Sequence, residues 1–110
     1  MTIKQMQKEL KLEIIQDEFD DAKITKVYTS DLLSDIMGNA PEESILVTIQ
    51  AHKNTVAVAT SKKSPAIIIC NSRPIPDAML ESAKSEKIVI FRTDLTQFEI
   101  SGKLYHLIKK

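Results

Sequence analysis

The polar residues best placed for chemistry follow directly on apolar runs. Thr29, Ser30 and Asp31 come after KVY, and Gln50, His52 and Asn54 after ILVTI. Asn71, Ser72 and Arg73 come after AIIIC, and Arg92, Thr93 and Asp94 after IVIF. If each run is a strand of one parallel sheet, the four groups open on a single rim. Their donors and acceptors could then converge on a small anion or a nucleotide-like ligand. The expected ligand-binding set is Ser30, Asp31, Gln50, His52, Asn54, Asn71, Arg73 and Thr93. Arg73 would supply charge for a phosphate, while Gln50 and Asn54 would read amide or hydroxyl groups. Plainer roles compete with this one. Ser30, Thr93 and Asp94 suit helix N-termini, and Asn71 with Arg73 suits a turn. Gln50 and His52 follow a buried strand, where polar groups need partners.

Other chemistry finds little support. Gly38 and Gly102 are the only glycines, so the chain holds neither a GxxxxGK[ST] phosphate loop nor a GxGxxG turn. That excludes a P-loop kinase or an ordinary dinucleotide enzyme. His52 and His106 lie far apart and Cys70 has no neighbour at ligand spacing, so no metal and no cofactor are expected. Cys70 with His52 as its base is a nucleophile arrangement on paper. A thiol that ends an AIII run reads first as inert core. No catalytic residue is assigned. His106 reads as a surface residue, the Ser34 and Asp35 pair as solvated, and Tyr28, Phe91, Phe98 and Tyr105 as core or interface packing.

The elements that would position these groups alternate. Thr2 caps a helix presenting Ile3, Met6 and Leu10. Strands are expected over 12–15 and 22–29, either side of an acidic loop at 17–21. Ser30 and Asp31 then open a helix through Met37, with Leu32, Leu33, Ile36 and Met37 inward and Gly38-Asn39 closing it. The run ILVTI, 45–49, is nearly unbroken and β-branched, as in a strand buried on both faces. A short helix near 55–60 places Val56, Ala57 and Ala59 or Thr60 against the sheet. Ala66 to Cys70 is the most apolar strand and should lie at the sheet centre. A helix over 77–85 packs Ala78 or Met79 and Ala83 inward behind Pro76. A strand at 88–91 and a helix over 94–108, capped by Asp94 and Gln97, complete the chain. This order predicts an α/β fold, a three-layer sandwich with a mostly parallel sheet, as one domain over 1–110.

Of the 110 residues, 43% are hydrophobic and 27% charged, with 15 basic and 15 acidic side chains. The balance argues against a nucleic-acid partner held by counterion release. The longest apolar runs are far short of a membrane span. One cysteine suits a reducing compartment, and MTIKQMQKEL lacks a signal-peptide core, so a cytoplasmic location is expected.

Three blocks carry a resemblance over nearly the whole chain: VYTSDLLSDIM (27–37), TIQAHKN (48–54) and FEISGKLY (98–105). They are similar to the small stand-alone DRTGG-domain proteins, which resemble the N-terminal domain of HPr kinase/phosphorylase. The resemblance implies an α/β sandwich shared with the uridine-nucleotide-binding N-terminal domains of muropeptide ligases. It also implies an accessory, regulatory role of the kind DRTGG segments have beside CBS domains. The naming string is absent, and Asn71-Ser72-Arg73-Pro74 stands where relatives carry glycines before a basic residue and proline. The reading that follows is a non-catalytic regulatory or sensory module for a nucleotide-like or phosphorylated ligand. The alternative is a protein–protein adaptor using the outer helices and a sheet edge. The breadth of apolar surface on the last helix, with Leu104, Leu107 and Ile108, adds the expectation of a homodimer.

Overall fold

SILVT and AIII are buried at every position, so each must be covered on both sides. They become neighbouring parallel strands in the computed structural model of the chain, which describes residues 1–109. In order, the elements are α1 (Ile3–Leu10), β1 (Glu13–Gln16), β2 (Lys26–Thr29), α2 (Leu33–Asn39) and β3 (Ser44–Thr48). There follow α3 (Lys53–Ser61), β4 (Ala66–Ile69), α4 (Asp77–Glu86), β5 (Val89–Arg92) and α5 (Gln97–Ile108). The sheet order is β1-β5-β4-β3-β2, which puts β4 at the centre as its composition predicts. Strands β2 to β5 are parallel, and β1 pairs antiparallel with β5 at one edge.

From β2 to β5 each strand sits beside the next, so the connections between them, wound with one hand, stack their helices on one face. Ile36, Val56, Ala59, Met79 and Ala83 of α2, α3 and α4 pack there against Leu46, Ile67, Ile69 and Ile90. Ile3 and Met6 of α1, with Ile100 and Leu104 of α5, close the other face over Ile45, Val47, Ile68 and Phe91. The result is the three-layer α/β/α sandwich. Strand order never reverses between β2 and β5, so the rim is not a crevice opened by a topological switch.

Several local expectations shift. Helix α2 starts at Leu33, with Leu32 as an N-cap that makes no side-chain bond. The Ser30 hydroxyl instead accepts from the Leu32 N–H (3.2 Å), which spends it on a turn before the helix. Leu32 and Met37, expected inward, are 59% and 44% exposed, because α2 lies over the β2 edge and only Ile36 is fully buried. Gly38 and Asn39 lie inside α2, and Ala40 ends it. Helix α5 starts at Gln97, where Thr96 and Glu99 form a full capping box in place of the Asp94 and Gln97 pair. Ala57 and Ala78 face solvent, while Thr55, Val56 and Met79 face the sheet. Residues 22–25 contribute only a bridge from Lys23 to Thr2, so the strand expected from residue 22 begins at Lys26.

Asp35 is more than a solvated charge. The Ser30 hydroxyl, the Asn39 amide and the Tyr28 phenol hold its carboxyl below the ordinary value. Tyr28 donates to it at 2.9 Å and Asn39 at 2.8 Å. A depressed carboxylate adds stability at neutral pH that is lost as pH falls through the lowered value.

Candidate functional site

Because β2, β3, β4 and β5 run in one direction, their carboxyl ends share an edge. The structure places the eight expected residues along that edge in two separately bonded halves.

The first half joins β2 to β3. Ser30 donates its N–H to Val47 O (3.1 Å), extending the pairing by one residue. The Gln50 side-chain amide donates to Asp31 O at 2.8 Å, tying the two strand ends together. Gln50 O in turn accepts from the Thr55 hydroxyl at 2.6 Å, closing the turn into α3. His52 is the N-cap of that helix, and its Nδ1 accepts from the Asn54 N–H at 3.0 Å. An imidazole nitrogen thus does the work that a serine or asparagine oxygen does elsewhere. Asp31, Gln50, His52 and Asn54 are all exposed.

The second half joins β4 to β5. Asn71 donates its N–H to Leu95 O (3.0 Å) and Ser72 to Thr93 O (2.8 Å), so the turn after β4 docks on the loop after β5. Thr93 N–H reaches Ile69 O (3.0 Å), while its hydroxyl accepts from Leu95 N–H (3.2 Å). Arg73 is exposed, and its guanidinium makes no ion pair with any described residue. Arg92 is engaged within the fold, its Nη1 donating to Arg73 O at 3.4 Å. Its Nε and Nη2 clamp both Glu13 oxygens, at 2.9 and 3.1 Å, across the β1–β5 edge. Hydrogen bonding to Arg92 lowers the Glu13 pKa and raises that of Arg92. Between the halves the link is backbone pairing of the sheet, where Cys70 N–H donates to Thr48 O (3.0 Å), and among the described residues no side-chain hydrogen bond crosses. A cleft of about 410 Å³ includes Thr93, alone of the eight, with Asp94, Leu95, Glu9, Leu10, Lys11 and Lys103.

Asn71 and Ser72 have φ of 63° and 51°, the left-handed region that glycine would occupy without cost. Asparagine tolerates it and serine less so. Ser72→Gly is therefore expected to stabilise the fold by about 0.5–1 kcal/mol, the left-handed penalty less glycine's chain entropy. A higher urea midpoint at unchanged slope checks it.

Cys70, expected as the last residue of its strand, lies just after β4 and is fully buried, and desolvation pushes its pKa up to about 11. A nucleophilic thiol requires the opposite shift. Thr29, grouped with the rim in the sequence, meets the hydroxyl of Ser101, a residue the sequence did not single out, at 2.6 Å, and the pair seats α5 on the end of β2. A hydroxyl on each of two apolar-patterned elements was the available signal.

Residues 42–108 match the family described as HPr Serine kinase N terminus. No curated protein matches the chain. Among solved structures it is similar to the CBS and DRTGG domains of the regulatory region of Clostridium perfringens pyrophosphatase, complexed with the activator diadenosine tetraphosphate. The TM-score is 0.72 at 16% identity, over 91% of this chain and 44% of that one. The likeness is one of fold, and the chain spans less than half the length of that structure.

Proposed function

The chain belongs to the HPr serine kinase N-terminus family, and from that premise we propose that it is a regulatory module binding a nucleotide-like or phosphorylated ligand along the carboxyl rim. One observation carries the reading. Adjacent parallel strands bring exposed Asp31, Gln50, His52, Asn54, Asn71 and Arg73 to a common edge, with the Arg73 guanidinium in no ion pair among the described residues. An arginine in this state is suited to a phosphate, and the exposed amides to hydroxyl or base edges. A regulatory region that shares this fold over 44% of its length, and is complexed with a dinucleotide activator, supports the same class of ligand. The sequence holds no phosphate loop, so the module would sense a phosphorylated compound rather than transfer its phosphate.

The test is a thermal-shift series with ATP, UTP, diadenosine tetraphosphate and inorganic phosphate. A ligand present at about a hundred times its Kd stabilises by about 2.7 kcal/mol. The double substitution His52→Asn with Arg73→Ala should remove that shift and leave the ligand-free Tm unchanged, because Asn preserves the α3 cap. A shift that survives the double change rules out the rim. The absence of a shift with all four probes favours the adaptor alternative.

A further inference from the structure

Among the described residues, the outer face of α5 has no partner within the chain. Phe98 is 86% exposed and Tyr105 66%, one turn to either side of Gly102. A side chain at Gly102 would meet nothing within 4 Å, so no contact inside the molecule calls for glycine there. Glycine weakens a helix interior, and its physical use in one is close approach by another backbone. Beside this ridge, between α5 and the end of α1, runs an open groove of about 540 Å³. Leu10, Phe98, Gly102 and Leu107 line it, with Glu99 on one side of Gly102 and Lys103 and His106 on the other.

We propose that this face binds a second copy of the chain, with the two α5 helices antiparallel and crossing at Gly102 about a two-fold axis. An interface of this symmetry must carry its knob and its hole on one patch, and Phe98 lies beside the groove. Antiparallel packing sets the N-terminal half of one α5 against the C-terminal half of the other. Glu99 of each copy then faces Lys103 and His106 of its partner, so the charges complement in both directions. Phe98 enters the partner's groove, and Gly102 lets the helix backbones approach. This assignment uses none of the rim residues and stands whether or not the rim binds a ligand.

Sedimentation of the full chain at micromolar concentration should show a dimer. Gly102→Gln adds a better helix former into open space, so the variant should fold with an unchanged or higher monomer Tm. It should nevertheless raise the dimer dissociation constant at least about tenfold, as should Phe98→Glu. Gly102→Cys should form a disulfide with its own counterpart under mild oxidation, much faster than Glu81→Cys on exposed α4. A monomeric wild type, a Gly102→Gln variant that dimerises like wild type, or equal cross-linking of the two cysteine variants would each overturn the interface.

Discussion

Ile68→Ala should lower the unfolding free energy by about 2–5 kcal/mol, a large part of the roughly 5–15 kcal/mol that holds such a domain together. Ile68 is fully buried at the centre of the sheet, packed with α1 and α5 in the core that includes Ile3, Met6 and Leu104. Its neighbour Ile67 points to the opposite face, into the core shared by α2, α3 and α4. Ile67→Ala should therefore cost a similar amount. On the edge strand β1, Ile14 is 48% exposed, so Ile14→Ala should cost less than about 1 kcal/mol. Urea midpoints at a common slope give the comparison. If either central isoleucine behaves like Ile14, one of the two helical layers is not where the structure puts it.

The equivalence of Ile67 and Ile68 also explains why the sheet centre was legible. A strand covered on both faces needs apolar side chains at consecutive positions, and AIII has them, as does ILV in β3. The helix ends were less legible because TSDLLSD and RTDLTQFE each offer several residues that can cap. In the second, the Thr96 to Glu99 spacing is that of a capping box, and strict attention to it would have found the start of α5. In the first, hydroxyl chemistry alone cannot tell a cap from the turn that Ser30 makes. Phe98 and Tyr105 fall at helical spacing, which fixes that they share a face but not which face is inward. Ile100 and Leu104 hold that position. The turn at Asn71 and Ser72 was legible from its residue types, but its left-handed backbone was not, because glycine is the usual sign of a positive φ and neither residue is one. The rim itself followed from parallel strands. Its division into halves depends on side-chain bonds such as Gln50 to Asp31, which only the strand order brings within reach.

Gln16 is the position where a polar side chain carries the most structure, and replacing it should have the second large effect. It is 4% exposed at the end of β1, where the pairing with β5 slips from Ile14 opposite Phe91 to Gln16 opposite Ile90. The irregularity leaves backbone groups without ladder partners, and the amide supplies them. Its Nε2 donates to Ile88 O and to Glu18 O, both at 3.0 Å, and its Oε1 accepts from Glu18 N–H at 2.6 Å. Gln16→Leu fills nearly the same space but strands the buried Ile88 carbonyl, a cost of about 1–3 kcal/mol, while the Glu18 groups can turn to water. Gln16→Glu should be worse at neutral pH, because it removes both donors and buries a charge against two carbonyl oxygens. Burial would raise the pKa of that new carboxyl above its unfolded value. Its penalty should then shrink as pH falls through the raised value, when the protonated acid regains one donor. Urea midpoints for the three proteins at neutral and mildly acidic pH separate the two effects. A leucine variant as stable as wild type would mean that packing alone holds β1 to the sheet. A glutamate variant with no recovery in acid would mean that the site stays hydrated and the amide is not the partner Ile88 depends on.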